Sequence, residues 1–283
     1  MFTDARLAGA IDARGNPVTE GERKPVRARS VEADLDWLSL VFGWALIWRG
    51  PSGGYMMHEN PVRGFDRPTE LNPARPLATV EYFATVRTAA QSHTMQLRRG
   101  TKWQRVLSYL SVLLDIACDT GRRITAICEL RLSDLRLDRS DKAPDGSIRW
   151  PGETDKEGRR WEAPITPEVR TALLRALKDR VGSGYLFPAP GNPERPINKD
   201  IAQRWLREAE VLAGIEHVER QGFHSLRRTW ATDRKDQPQV DVAAAGGWKD
   251  PTTLTRIYQQ ADPDTMLRVV RSGSLRKASG GTT

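Results

Sequence analysis

The chain of 283 residues is long enough for one large domain or two modest ones. Its 44 lysines and arginines exceed its 36 aspartates and glutamates, so the formal net charge is +8 and the isoelectric point lies near 9.8. This excess favours an anionic partner, although an ordinary basic surface would give the same composition.

Cysteines, histidines and apolar runs exclude several kinds of protein. Cys118 and Cys128 are too few for a disulfide framework or a zinc ligand set, and they indicate a reducing compartment. No H-x-x-x-H or G-x-x-x-x-G-K-[ST] motif occurs, so neither a helical zinc site nor a P-loop is expected. The longest apolar run, 37–48, is shorter than the ~20 residues of a bilayer span, and the N-terminal segment carries charges where a secretory signal is apolar. We therefore expect a cytoplasmic protein without a membrane segment.

The first third of the chain predicts little regular structure apart from one helix. Residues 1–30 show no periodicity and predict an extended lead-in. Ser30 is the predicted N-cap of a helix that ends near Arg49, and four apolar residues share one face of it: Leu35, Leu38, Phe42 and Ala45. Residues 49–76 are rich in glycine and proline, which predicts an interdomain linker. The predicted domains are residues 1–68 and 69–283.

The remainder of the chain predicts helices around one small sheet. Apolar residues recur at helical spacing over 79–97 and 104–119, and a third helix is predicted to start near Arg123. Between Leu135 and Thr166 the runs SIRW and RRWEAPI predict an antiparallel sheet with a hairpin at DKEG.

Helical spacing then returns. Thr166 is the predicted N-cap of a helix beginning at Pro167, another helix is predicted over 198–213, and the rest reads as short helical pieces. The predicted fold class is mainly α with a small antiparallel β-sheet (α+β).

Three separated stretches carry polar residues in a distinctive order. They are DTGRRITAICELRLSDL at 119–135, ETDKEGRRWEAPIT at 153–166, and FHSLRRTWAT at 223–232 followed by GGWKDPTTLTRIYQQAD at 246–262. Each fragment is short enough to occur by chance. Their order and spacing together are much more specific.

These stretches resemble the motifs of the tyrosine recombinases, the phage integrase family. The first is similar to T-G-x-R-I followed by a helix and a leucine-rich S-D, the second to the family's β-hairpin lysine segment, and the third to H-x-L-R followed by a Gly-His/Trp pair and a tyrosine. The resemblance covers roughly residues 69–262. It implies six catalytic residues: Arg123, Lys156, His224, Arg227, Trp248 and Tyr258.

The implied activity is site-specific DNA cleavage and rejoining through a covalent 3′-phosphotyrosine on Tyr258, without a metal ion, ATP or another cofactor. The residue types suit this chemistry. Two guanidinium groups can hold the nonbridging phosphate oxygens, and a phenol can form a phosphoester and later be displaced from it. Lys156 is the expected proton donor to the leaving oxygen, with Arg159 and Arg160 as rivals. The indole N–H of Trp248 can donate one hydrogen bond to phosphate, or the ring can simply be buried.

The resemblance also implies partners and alternatives. It predicts a nucleoid-associated protein of a mobile element that binds double-stranded DNA, acts as a homotetramer on paired sites, and works with accessory DNA-bending proteins. Residues 1–68 resemble part of the family's helical core-binding clamp, and the segment ADPDTMLRVVRS is a candidate for docking on a neighbour or on its own domain. The alternatives are a type IB topoisomerase and a catalytically silent DNA-binding relative.

The sequence departs from the family pattern at three points. Ala126 stands where an acidic residue is usual, and Arg228 stands where a histidine is frequent. The spacing of ten from Trp248 to Tyr258 is about one residue longer than is common in the family. These departures leave the six implied catalytic residues intact.

Overall fold

A computed structural model describes residues 2–12, 15–68, 75–150, 161–177, 182–261 and 263–271. The chain divides into two compact units, Met1–Ala74 and Arg75–Thr283. No helix among the described residues is long and apolar enough to cross a membrane.

The first unit contains the helices α1 (Phe2–Leu7) and α2 (Ala28–Ile47). The predicted apolar face of α2 is confirmed, because Leu35 and Ala45 are buried and the other two members are half-buried. The predicted N-cap at Ser30 is wrong. The helix begins at Ala28, so its N-cap position is Arg27, three residues before Ser30, since alanine and arginine at positions 28 and 29 both favour helical backbone and extend the first turn.

The second unit is built mainly of helices, as the sequence predicted. Its helices are α3 (Val80–Ser92), α4 (Leu110–Thr120), α5 (Ile124–Cys128), α6 (Pro167–Leu177), α7 (Lys199–Leu212), α8 (Phe223–Asp233), α9 (Gln239–Gly246), α10 (Pro251–Thr253) and α11 (Pro263–Arg271). Its strands are β1 (Thr94–Arg99), β2 (Lys102–Leu107), β3 (Leu135–Arg136), β4 (Ser147–Trp150), β5 (Trp161–Pro164), β6 (Pro188–Ala189) and β7 (Asn192–Pro196). The predicted fold class is confirmed.

The predicted sheet between Leu135 and Thr166 is also confirmed. Its three strands lie in the antiparallel order β3-β4-β5, and Trp150 pairs with Trp161 where β4 and β5 adjoin their connection. The runs SIRW and WEAP supply β4 and β5. The predicted DKEG turn lies outside the described residues.

Two helical predictions before this sheet are wrong. The helix from Thr79 ends at Ser92 instead of Leu97, and residues 104–107 belong to β2 instead of a helix. The intervening residues form the antiparallel hairpin β1–β2, with Thr94 opposite Leu107. Gly100, with φ +61°, supplies the left-handed backbone at its turn. Strand pairing and the burial of Met95 prevailed over a helical period that rested on a few leucines.

The core of the second unit surrounds α4, whose residues Leu110, Leu113 and Ile116 are fully buried. This helix packs against α3, α6 and α8. The predicted N-cap of α6 is confirmed, because the Thr166 hydroxyl accepts from the Val169 N–H. The buried α4 therefore fixes the turn at its C-terminal end, where the candidate site begins.

Candidate active site

The turn that ends α4 brings the first arginine motif beside α8. Gly121 has φ +61°, and a Cβ there would lie 2.4 Å from the ring of Trp230. Both the backbone angle and this close approach require glycine. Arg123 follows as the residue preceding α5, exposed to solvent, and its Nη1 donates to the Gly247 carbonyl at 3.4 Å. The turn thus holds Arg123 at the edge of the site.

Arg227 is the buried cation of the site, with 1% of its surface exposed. Its Nη1 donates to the carbonyls of Gly121 and Gly246, the latter at 2.6 Å. Its Nε and Nη2 are buried without an acceptor among the described residues. Burial lowers the pKa of Arg227 to about 9, so the group is still a cation at neutral pH. One edge of the guanidinium is fixed by backbone, and the other carries buried donors that no acceptor among the described residues pairs within hydrogen-bond distance.

Aromatic rings fix the plane of Arg227. Its guanidinium carbon lies 3.4 Å from the ring centroid of Trp248, and Trp248 stacks on Trp230 at 5.9 Å with an interplanar angle of 19°. Arg234 covers Trp230 at 4.3 Å. The Trp248 side chain is almost fully buried, and its Nε1 has no acceptor among the described residues. The four side chains form a continuous cation–aromatic stack under the site.

Tyr258 lies at the end of a π-helical turn, Leu254–Tyr258. The backbone N–H of Gln259 donates to the Leu254 carbonyl at 3.0 Å, an i to i+5 bond that accommodates one residue more than an α-helical turn. This turn absorbs the extra residue noted between Trp248 and Tyr258. The Tyr258 ring meets Trp248 edge-on at 4.9 Å and lies 5.1 Å from the Arg227 guanidinium carbon.

His224 shares a face of α8 with Arg227, three residues away. The residue is exposed to solvent on one side of the helix. Partial desolvation, together with the positive charges of Arg227, Arg228 and Arg123, lowers the pKa of His224 to about 4. The imidazole is therefore neutral at pH 7 and can accept a proton.

Lys156 lies outside the described residues. Its segment, 151–160, connects the paired strand ends at Trp150 and Trp161. The guanidinium of Arg122 lies 4.9 Å from the Trp150 ring centroid. Trp150, the residue from which the segment begins, therefore lies next to Arg122, the neighbour of Arg123. The structure brings together Arg123, His224, Arg227, Trp248 and Tyr258.

Three supporting side chains were not predicted from the sequence. Trp230 is the platform under Trp248, and its Nε1 donates to the Asp119 carbonyl at 2.7 Å. Arg122 is buried and donates to the Ala244 carbonyl at 3.1 Å. Arg228 donates to the Pro76 carbonyl at 2.6 Å, so it ties the start of the second unit to α8. In the sequence, these residues are indicated only by their neighbours. Arg122 and Arg228 each adjoin an implied catalytic arginine, and Trp230 lies in the same helix as Arg227.

The described residues contain no group of three or more His, Cys, Asp and Glu side chains placed to hold a metal ion.

A family model described as the phage integrase family matches residues 97–264, more than half of the chain. The chain belongs to the phage integrase family. The resemblance based on the three sequence stretches is thereby confirmed.

Solved structures of integrases and recombinases share this fold. A lambda integrase dimer bound to a COC′ core site matches with a TM-score of 0.57 and 18% identity, covering 82% of this chain and 59% of that one. The XerH site-specific recombinase in a post-cleavage complex with palindromic difH matches with a TM-score of 0.65 and 15% identity, covering 87% of this chain and 67% of that one. The Tn1549 transposon integrase with circular intermediate DNA matches with a TM-score of 0.61 and 16% identity, covering 88% of this chain and 80% of that one. No curated protein matches the chain.

Proposed function

We propose that this integrase-family protein is a site-specific DNA recombinase, a DNA strand transferase that forms a 3′-phosphotyrosine on Tyr258. The observation that carries the proposal is the convergence of a tyrosine, a neutral histidine and a buried arginine with a free edge. Together with Arg123 and Trp248, these groups supply the nucleophile, proton acceptor and phosphate donors for phosphoryl transfer on side chains alone. Family membership supports the same activity.

Phosphate binding would use the free edge of Arg227. Its unpaired Nε and Nη2 can donate in parallel to two nonbridging oxygens, and the nearby indole Nε1 of Trp248 can supply one further donor. Arg123 would approach from the exposed edge of the site. Backbone carbonyls and stacked rings hold Arg227 and Trp248, so the orientation of these two donors is set before phosphate binds.

Cleavage would begin when the Tyr258 oxygen attacks the phosphorus of the scissile phosphodiester. A new O–P bond forms, the bond from phosphorus to the 5′-oxygen breaks, and the strand is left as a 3′-phosphotyrosine. The phenol proton would pass to neutral His224. Lys156 would protonate the departing 5′-oxygen, with Arg159 and Arg160 as rival donors in the same segment. Attack by a 5′-hydroxyl on the phosphotyrosine reverses these steps and rejoins the strand.

Partners follow from the same proposal. We assign double-stranded DNA as substrate and a homotetramer on paired sites, which is supported by the fold shared with a lambda integrase tetramer bound to a Holliday junction. Residues 1–68 would be a partial DNA clamp, and 69–283 the catalytic domain. The exposed apolar side chains of α11, among them Met266, Val269 and Val270, suit docking on a neighbouring protomer. We also propose that the protein works with accessory DNA-bending proteins and associates with the nucleoid.

A pool of nicked suicide duplexes with a randomised central site tests the proposal. The protein, in excess EDTA, should form an SDS-resistant adduct with part of the pool, and selection of these adducts yields the preferred site. Tyr258→Phe keeps the ring packing and should bind the selected duplex with unchanged affinity but form no adduct. Tyr185→Phe is the matched control and should retain adduct formation. Binding without adduct would indicate a silent relative. On a supercoiled plasmid that carries two selected sites, relaxed circles without recombinants would instead indicate topoisomerase activity.

A further inference from the structure

The β1–β2 hairpin is a basic surface that the candidate active site does not use. Its fourteen residues, 94–107, include Arg98, Arg99, Lys102 and Arg105 but no aspartate or glutamate. All six residue pairs of the two strands are in antiparallel register. Most of the hairpin is exposed, including Trp103 at 55%. The hairpin therefore combines a dense positive charge with an exposed indole ring.

Three cations of this basic hairpin, Arg98, Lys102 and Arg105, have no carboxylate partner among the described residues. Arg98 Nε donates to the Gly100 carbonyl at 3.0 Å, and Arg105 Nε donates to the Thr94 hydroxyl at 2.7 Å. None of the ion pairs among the described residues includes Arg98, Lys102 or Arg105. The hydrogen bonds hold two guanidinium groups along the strands while leaving their charge available to an anion.

The basic hairpin is firmly attached to the core at its base. His93 lies 2.8 Å from the Ser108 hydroxyl through Nδ1 and 2.8 Å from a Glu208 carboxylate oxygen through Nε2, which links the two ends of the hairpin to α7. Met95 is buried in the core. Nearer the turn, the Arg98 N–H donates to the Pro190 carbonyl at 2.9 Å. The charged surface is thus presented on a fixed support.

The basic hairpin joins the end of α4 opposite to the candidate active site. It leads into the N-terminal end of α4, whereas the candidate active site begins at Gly121 beyond the other end. An eleven-residue helix is about 16 Å long at ~1.5 Å per residue. The base of the basic hairpin is therefore separated from the turn at Gly121 by the length of α4.

We propose that the basic hairpin binds the phosphate backbone of duplex DNA outside the cleaved position. The inference rests on the proposed function and adds a second DNA contact to it. Four cations without a carboxylate match the regular anionic charge of a duplex, and release of its counterions favours such binding. Exposed strand lysines and arginines also discourage edge-to-edge pairing of sheets. That role would leave the salt dependence of DNA binding unchanged, which separates the two explanations.

The test compares two double variants that each remove one arginine and one lysine. Arg98→Gln/Lys102→Gln changes the basic hairpin. Arg139→Gln/Lys142→Gln is the matched control, because these exposed residues lie in a loop that also carries Asp138, Asp141 and Asp145. The affinity of each full-length protein for a selected duplex is measured from 50 to 300 mM NaCl, and single-turnover adduct formation is measured at saturating protein.

The hairpin variant should lower the magnitude of the slope of log K against log salt by about 1.8, at ~0.9 per lost phosphate contact. The control should keep the wild-type slope, and both variants should keep the wild-type rate of adduct formation once DNA is saturated. Equal slopes for all three proteins, or equal losses in both variants, would overturn the hairpin contact while wild-type adduct formation stands. Failure of the wild type to form any adduct would overturn the proposed function instead.

Discussion

Replacing Arg227 by lysine separates positive charge from the geometry of the guanidinium. In the structure one nitrogen of Arg227 serves two backbone carbonyls, and the Nε–Nη2 edge is unpaired. A lysine ammonium has a single nitrogen, so once it binds the Gly121 and Gly246 carbonyls it offers no parallel pair of donors to phosphate. Loss of a preorganised transition-state donor typically costs 10²–10³-fold in rate, about 2.7–4 kcal/mol. We expect Arg227→Lys to slow cleavage by at least about 10²-fold.

The assay is single-turnover adduct formation on a suicide duplex at saturating protein, with duplex affinity measured in parallel. Arg234→Lys is the control, because Arg234 caps the other end of the aromatic stack, 4.3 Å from the Trp230 ring centroid. It should alter the cleavage rate by less than about fivefold and should leave affinity unchanged, since it offers no donor edge to phosphate. A rate for Arg227→Lys close to wild type, or an equal loss in Arg234→Lys, would refute the assignment of the free edge to phosphate.

Three further predictions concern the remaining site residues. Lys156→Ala should slow cleavage roughly 10²-fold on an ordinary duplex but much less on a 5′-bridging sulfur substrate, whereas Arg159→Ala should show no sulfur-selective rescue. Partial desolvation and neighbouring cations lower the pKa of His224 to about 4, below its unfolded value of about 6.5, so the unfolded chain protonates first. Stability should therefore fall as pH decreases from about 6.5 toward 4, and urea unfolding at pH 7 and pH 5 should show a smaller loss for His224→Gln. Trp230→Phe should reduce the adduct rate by roughly 10-fold to 10²-fold through misplacement of Trp248, with duplex affinity retained and without the sulfur rescue expected for Lys156→Ala.

The helical parts of the fold were predictable because their signals are local. Thr166 and Asn198 accept hydrogen bonds from the backbone N–H groups of Val169 and Ile201, as short polar residues commonly do at the start of a helix. The loss of helical period after Leu135 indicated the sheet. The hairpin at 94–107 was missed because its leucines also fit a helical spacing. Only pairing of its two strands and burial of Met95 distinguish the structures.

The sequence predicts a set of candidate site residues, but it does not predict how they are arranged. Arg122 and Arg123 are adjacent and chemically alike, yet one is buried against Ala244 and the other is exposed. Trp230 lies in α8 and Trp248 lies just after α9, so their stacking is a long-range contact that no local sequence pattern encodes. The longer spacing before Tyr258 was visible in the sequence, but its accommodation by a π-helical turn required the backbone.

The central claim is that Tyr258 carries the DNA after cleavage. Trypsin should release it in the peptide 257–268, IYQQADPDTMLR, which contains a single tyrosine. After adduct formation in EDTA and nuclease digestion, mass spectrometry of this peptide should show a nucleotide 3′-phosphate on Tyr258. A nucleotide found on another residue, or an adduct that persists in Tyr258→Phe, would contradict the account.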